Sequence, residues 1–496
     1  MCNCATICGG LSNVKGMAWM QGSLRLDVKF GTSGLRGLAA DLANGPAFAH
    51  VHAFCRMLVD ERGLAPGTLV AVGRDRRQSS PLIAAQATAA IRTAGLEALD
   101  CGEVPTPALA HHAFSMGSPA VMVTGSHIPA DRNGLKFYLP GAEVGKSEEL
   151  RIAALAEGAP PLPSGIAPGT GYGAKEAVME RWRARHADLL PSGAFAGLSI
   201  GIHEHSSVAT GFLGELLESL GARIRRFGHS SVFVPVDTEA VEPEVITLYR
   251  EEARAGIDAI ISTDADGDRP LLADETGTPL PGDLIASLAA RFVVATFVAT
   301  PVSSNSALDD TAGIEVIRTR IGSPYVIAAM EAATTTGNGT VVGFEANGGF
   351  LLASPVHVGS ASLSPLPTRD STLPILATLW RMREGRISAS GLAAAEGFRA
   401  TASGRLKDYA VERAASLMKR LADDPAFEAS FLGRFGKVIS CDTTDGRRYR
   451  LSGGRIIHFR PSGNAPEMRC YAEASDTAAA ALLLADGLAC LDGWKG

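Results

Sequence analysis

Three aspartates alternate along Asp264-Ala-Asp-Gly-Asp-Arg269, directly after the apolar run 257–262. Like charges repel, so carboxylates at this spacing need a compensating partner, and a hard divalent cation is the usual one. An EF-hand loop would use the same three positions, with Glu275 at its twelfth. Its sixth position must be Gly for the sharp turn, but here it is Arg269, and the preceding run reads as a strand where an EF-hand needs a helix. A second cluster, Thr124-Gly-Ser-His-Ile-Pro-Ala-Asp-Arg-Asn-Gly-Leu-Lys136, follows the apolar run 119–123. It exposes Ser126 beside His127 on a tight, Pro-fixed loop. It is not the hydrolase elbow G-x-S-x-G, because Thr124 holds the first glycine position. Two more loops suit anions: Phe30-Gly-Thr-Ser-Gly-Leu-Arg-Gly37, around Arg36, and Arg460-Pro-Ser-Gly-Asn-Ala-Pro-Glu-Met-Arg469, where two arginines frame Ser462, Gly463 and Asn464. In Gly343-Phe-Glu-Ala-Asn-Gly-Gly349, Glu345 and Asn347 can bond sugar hydroxyls. Taken singly, each of these loops also suits a plain turn.

The elements that must hold these loops alternate. Strand-like runs at 68–73, 119–124, 198–203, 222–227, 257–262, 314–318 and 340–344 trade places with amphipathic helices at 81–94, 211–220, 283–297 and 324–333. A β-then-α rhythm of this kind predicts α/β layers with mixed or parallel sheets. The last hundred residues differ. Helical patterns at 408–421 and 476–491 enclose strand-like pieces, among them 455–459, with turns at Asp445-Gly446 and Gly453-Gly454, which predicts an α+β cap. A Pro/Gly/Ala-rich stretch at 158–173 reads as a linker, with softer boundaries near Pro281 and Arg386.

At 496 residues the chain should hold two to four domains. Hydrophobic residues at 46% and charged ones at 20% are enough for proper cores and exclude a mostly disordered chain. Lys+Arg 46 against Asp+Glu 52 leaves −6, which argues against a nucleic-acid binder. Eight cysteines are too few for a disulfide scaffold, and their thiols suit a reducing cytoplasm. Cys2, Cys4 and Cys8 have no matching ligand pair downstream, so residues 1–24 read as a disordered leader without signal-peptide character. The longest apolar run, 292–302, is too short to span a bilayer.

Together and in this order, the clusters resemble the α-D-phosphohexomutase family. Its active-site loop is like Thr-Ala-Ser-His-Asn-Pro, here Thr124-Gly-Ser-His-Ile-Pro129; its metal loop Asp-Gly-Asp-x-Asp-Arg is here Asp264–Arg269 with Ala265 for Gly. Its sugar loop, like Gly-Glu-x-Ser-Gly-His, is here Phe344-Glu-Ala-Asn-Gly-Gly349, with Asn347 for Ser and Gly349 for His. Its phosphate loop Arg-Pro-Ser-Gly-Thr-Glu-Pro reads Arg460-Pro-Ser-Gly-Asn-Ala-Pro466. The resemblance runs from about residue 25 to 490 and looks nearest to the bacterial phosphomannomutase/phosphoglucomutase branch.

The resemblance implies three related α/β domains with mixed sheets plus a C-terminal α+β domain around a central cleft, here 25–160, 161–281, 282–388 and 389–496. It implies interconversion of hexose 6-phosphate and hexose 1-phosphate, with mannose first and glucose second, through a phosphoserine at Ser126 and a hexose 1,6-bisphosphate. Mg²⁺ would be held by Asp264, Asp266 and Asp268 with Ser126. Arg36, Lys136, Arg269 and Arg320 would balance charge at the reacting end, and Lys136 or His127 would move a proton. Arg460, Ser462, Gly463, Asn464 and Arg469 would hold the non-reacting phosphate, and Glu345 and Asn347 the sugar. A phosphoglucosamine mutase and a non-catalytic sugar-phosphate binder are the alternatives. An aspartate-nucleophile phosphatase shares Asp264-x-Asp266 but needs Thr or Val where Asp268 stands.

Overall fold

A computed structural model describes residues 28–31, 33–168, 173–337, 339–462 and 466–495. The leader cysteines, part of the predicted linker, and Gly463 and Asn464 lie outside these residues. Three successive mixed sheets share one topology. The first uses Leu69–Arg74, Glu97–Glu103, Ala120–Val123 and Arg132–Leu139; the second Ser199–His205, Arg223–His229, Ala259–Thr263 and Pro270–Ala273; the third Phe297–Pro301, Glu315–Thr319, Val341–Phe344 and Phe350–Leu352. In each, the first strand lies between the second and third, parallel to both, and the fourth returns antiparallel to the third. Parallel neighbours need crossovers, and helices supply them: Ser80–Thr93 and Thr106–Ser115, Thr210–Ser219 and Pro243–Ala253, and Ser323–Thr336. Pro at the first turn marks four of these five starts, where its missing N–H costs nothing.

This repeat explains where the polar clusters sit. The turn from third to fourth strand begins with Thr124 in the first unit, Asp264 in the second and Glu345 in the third. The serine, aspartate and sugar loops are thus one element used three times. Two additions complete the frame. Leu35–Leu38 pairs antiparallel with Arg132–Leu139, setting Arg36 opposite Gly134. Leu366–Asp370 pairs antiparallel with Phe350–Leu352, setting Asp370 opposite Phe350.

The C-terminal unit is an all-antiparallel five-stranded sheet, in the order Ala400–Leu406, Met468–Ala474, Ile456–Pro461, Arg447–Leu451, Val438–Asp442. Helices Val411–Asp423 and Thr477–Gly493 pack on it, the latter capped by Asp476 accepting the Ala479 N–H at 2.9 Å. The expected fold class is the one observed: three α/β units and an α+β unit. One predicted element differs. The helix expected over 283–297 is Gly282–Phe292, followed by a turn with Val294 at φ 54° and the strand Phe297–Pro301. Phe292, Val293 and Val294 carry the apolar run from the helix end into the buried strand, so the sequence pattern hides the break between them. Among the described residues no helix is long and apolar enough to cross a membrane.

The three α/β units share one continuous core, running through Ala71, Leu109, Leu213, Ile261, Leu284, Phe344 and Leu376. The C-terminal unit has its own, around Leu417, Tyr449, Phe459 and Leu491. Polar contacts cross the seam: Ser306 to Glu473, Asn305 Nδ2 to the Arg399 carbonyl at 2.9 Å, and Arg450 to Asp309 at 3.2 Å. Separate cores joined by polar contacts favour separable melting. Calorimetry should therefore resolve two transitions, and Trp494→Phe, within the C-terminal core, should silence fluorescence from only one. A single transition seen alike by both probes would show that the units melt together.

Candidate active site

The serine loop is held open from beneath. Thr124 Oγ1 donates to Asp75 Oδ2 at 2.8 Å and accepts the Ser126 N–H at 2.8 Å. The fully buried Arg77 guanidinium donates to the carbonyls of Ser126 (2.9 Å), Ile128 (2.7 Å), Pro129 (2.6 Å) and Arg132 (3.0 Å), and its Nε to Asp75 at 3.2 Å. Position 125 must be glycine, because a Cβ there would lie 2.7 Å from Arg77 Cζ. Ser126 itself adopts φ 56°, a left-handed conformation costing a non-glycine residue about 1–2 kcal/mol. The bonds to Arg77 and Thr124 offset that strain and aim the hydroxyl across the domain boundary at Asp264, to which it donates.

The aspartate loop is braced from three sides. Its Asp266 carbonyl accepts the Thr106 N–H at 2.9 Å, Ala265 that of Val208 at 3.1 Å, and Gly267 the Ser371 hydroxyl at 2.7 Å. These partners sit at the starts of three helices, one in each α/β unit. Asp264, Asp266 and Asp268 are fully buried and each turns an oxygen to within 4.8 Å of the others'. Burial, then the Asp266 and Asp268 charges, push the Asp264 carboxyl well above its usual range. Burial would raise Asp268 too, but Arg369, Lys136 and Arg269 outweigh it and hold that carboxyl low. Asp266 Oδ1 and Asp268 Oδ1 are buried with no hydrogen-bond partner. An all-oxygen, mutually repelling set with buried free lone pairs fits a hard divalent cation.

Cations ring the carboxylates. Lys136 Nζ bonds Asp266 at 2.6 Å and also Asp268, and these two carboxylates, against burial, raise its pKa so that it stays charged. Arg369, which sequence reasoning did not single out, donates to Asp268 and Glu345. Arg36 is pushed down to about 10 by burial and by neighbouring Arg269 and Arg369. Arg269 Nη1 donates to His127 Nδ1 at 3.0 Å, and the same nitrogen lies 3.2 Å from Ser126 Oγ. Burial, then Arg269, lower His127 to about 4, leaving the ring neutral at pH 7. Ser126, His127, Lys136, Arg36, Arg269 and the three aspartates are therefore brought together.

Arg320 is placed elsewhere. It lines a cavity of about 400 Å³ with Arg460, Ser462, Arg469 and Lys146, at the start of the helix Ser323–Thr336. A helix start and four cationic side chains make this an anion cavity. Asp445 shapes it by accepting from Arg460 Nε at 2.9 Å and from the Ile321 N–H at 3.0 Å. Arg320 stands beside the predicted non-reacting phosphate contacts rather than at Ser126, because the strand Glu315–Thr319 delivers it to the seam with the C-terminal unit. In the sugar loop, Asn347 Oδ1 accepts the Gly349 N–H at 2.9 Å, while Glu345 pairs with Arg369 at 2.8 Å. Both are buried at the meeting of the second and third units.

Sequence reasoning missed Arg77, Thr106, Lys146 and Arg369. Arg369 carried one signal: Thr368, Arg369 and Asp370 are polar neighbours in an otherwise buried strand. Arg77 carried none, since an arginine in the charged run Arg74-Asp-Arg-Arg77 at a strand end looks solvated. Removing one partner of a buried pair costs roughly 3–5 kcal/mol. Arg77→Met should cost about that much in urea unfolding and most of any activity the serine loop supports. Unchanged stability would show that the loop carbonyls find other donors.

Three family models match the chain: "Phosphoglucomutase/phosphomannomutase, alpha/beta/alpha domain I" over residues 27–160, domain III over 281–396 and the C-terminal domain over 410–489. A phosphomannomutase of Sinorhizobium fredii is 48% identical over 467 residues, covering 94% of this chain and 98% of that protein. One of Salmonella muenchen is 40% identical over 455 residues, covering 90% and 92%. A putative phosphomannomutase of Thermus thermophilus shares the fold, with TM-score 0.71 and 22% identity over 94% of this chain and 99% of the other. The chain belongs to the phosphoglucomutase/phosphomannomutase family and is a phosphohexomutase, an isomerase.

Proposed function

We propose that the chain interconverts mannose 6-phosphate and mannose 1-phosphate, with glucose phosphates as second substrates, through a phosphoserine at Ser126 and a hexose 1,6-bisphosphate. The observation that carries this reading is the Ser126 hydroxyl donating to Asp264, inside a buried carboxylate trio and a ring of cations. The two phosphomannomutase relatives support mannose as the first choice of sugar.

Asp264, Asp266 and Asp268, with Ser126, would hold Mg²⁺, which when bound supplies positive charge to offset that of the transferring phosphoryl group. In the first half-reaction the free hydroxyl oxygen of the sugar phosphate bonds to phosphorus, the Ser126 Oγ–P bond breaks, and the proton lost by the sugar hydroxyl ends on Ser126 Oγ. After the bisphosphate turns end for end, Ser126 Oγ bonds to the other phosphorus, that sugar O–P bond breaks, and the serine proton ends on the released sugar oxygen. Catalysis of this type is mostly positioning and charge stabilisation. Arg36, Arg269 and the charged Lys136 would serve the reacting group. His127 is neutral and 3.2 Å from Ser126 Oγ, and either it, once Nδ1 is released from Arg269, or Lys136 would move a proton. Arg320, Lys146, Arg460, Ser462 and Arg469, with Gly463 and Asn464, would grip the other phosphate, and Glu345 and Asn347 the sugar hydroxyls.

Intact-mass measurement of the purified protein should find one added phosphate, mapped to Ser126. Ser126→Ala should lower turnover of mannose 1-phosphate by several orders of magnitude with the fold intact; near-normal turnover would refute the role. Excess chelator should stop the reaction and Mg²⁺ restore it. Side-by-side rates on mannose, glucose and glucosamine phosphates separate this reading from a phosphoglucosamine mutase, and sugar-bisphosphate binding without turnover would point to a non-catalytic binder.

A further inference from the structure

The side chain of Arg369 is only 2% exposed, yet it touches three loops that the sequence holds far apart. Nε donates to Asp268 Oδ2 at 3.1 Å, Nη1 to Glu345 Oε2 at 2.8 Å and Nη2 to Ser33 Oγ at 3.0 Å. One planar group thereby spans the aspartate loop, the sugar loop and the glycine loop around Arg36. A guanidinium does this with donors in a fixed fork, which an ammonium cannot reproduce.

Gly349 makes the arrangement possible. A Cβ at 349 would lie 2.4 Å from Arg369 Cδ and 2.7 Å from its Cγ. Gly348 next door has φ 83° and is required by its backbone, whereas Gly349 has no left-handed φ. Glycine at 349 is therefore required by space alone: the stem of Arg369 runs through the volume a side chain there would fill. The pairing of Phe350 with Asp370 brings the two positions side by side.

Building on the mutase reading above, we propose that Arg369 is a positioning residue that couples the cation site to the sugar site, and that Gly349 is the vacancy through which it reaches both. The guanidinium sets the spacing and orientation of the Asp268 carboxylate relative to that of Glu345. Substrate recognition and cation binding in this chain therefore depend on the same side chain.

The test compares the full-length wild type with Arg369→Lys, Gly349→Ala, Arg369→Ala and the double variant Gly349→Ala/Arg369→Ala. Four quantities are read: KM and kcat for mannose 1-phosphate, Mn²⁺ binding by electron paramagnetic resonance without sugar, and melting temperature. In Arg369→Lys and Gly349→Ala, both KM and the Mn²⁺ dissociation constant should rise roughly 10–100-fold, with kcat falling less. In the double variant, Gly349→Ala should add no further loss, since the stem it would strike is gone. If Arg369→Ala does not fold, the first two variants decide. A lowered melting temperature with KM and Mn²⁺ binding unchanged would make Arg369 merely structural and overturn the proposal. So would a rise in only one of the two constants. Should the wild type turn over no hexose phosphate, the mutase reading falls. Mn²⁺ binding and calorimetric binding of glucose 1,6-bisphosphate would then decide the coupling by themselves.

Discussion

Burying three carboxylates with an oxygen of each within 4.8 Å of the others is costly unless the charges are compensated, and much of the surrounding structure answers that cost. Lys136, Arg36 and Arg369 converge on the trio from three different strands, Arg269 from the loop itself, and Thr106 and Ser126 donate hydroxyls to it. No single unit could supply these groups. Lys136 and Arg36 come from the first sheet, Arg269 from the aspartate loop itself, and Arg369 from the edge of the third. The continuous core shared by the three α/β units keeps these groups in register, since packed interiors yield little to local displacement.

The repeated topology makes that convergence simple to achieve. A third strand that ends beside a returning fourth presents its turn at the same edge of the sheet every time. Three copies packed around one core aim three such turns at one volume. Each turn is then specialised by a few residues: a serine in left-handed conformation, an alternating aspartate run, a glutamate with two glycines. Backbone geometry recurs while the side chains diverge, so one scaffold places a hydroxyl, a carboxylate trio and a glutamate–amide pair at neighbouring loops.

Much of this was legible in the sequence. Strong hydrophobic patterning set off the clusters at Ser126, Asp264–Asp268, Glu345 and Arg460–Arg469, because polar residues that interrupt a buried pattern need a reason. The charge-bearing residues that act from beneath were not legible. Arg77 and Arg369 do their work through contacts 49 and 101 residues away in sequence, and the one local hint is the polar run Thr368-Arg-Asp370 around the second of them. Arg320 shows the limit of reasoning by charge alone: its sign suits an anion, but only the strand direction of Glu315–Thr319 places it in the seam cavity rather than beside Ser126. The break between Phe292 and Phe297 was hidden because helix end and strand start are equally apolar.

The left-handed backbone at Ser126 also bears on which alcohol the loop can present. A threonine would bring a hydroxyl of comparable acidity, but its branched β-carbon is a true outlier at φ 56°. Gly125 cannot relieve the crowding, because the Arg77 guanidinium already fills the space beneath it. The choice between two chemically similar side chains is thus made by main-chain sterics before any reactant arrives, and a conservative exchange on paper becomes a forbidden one in this loop.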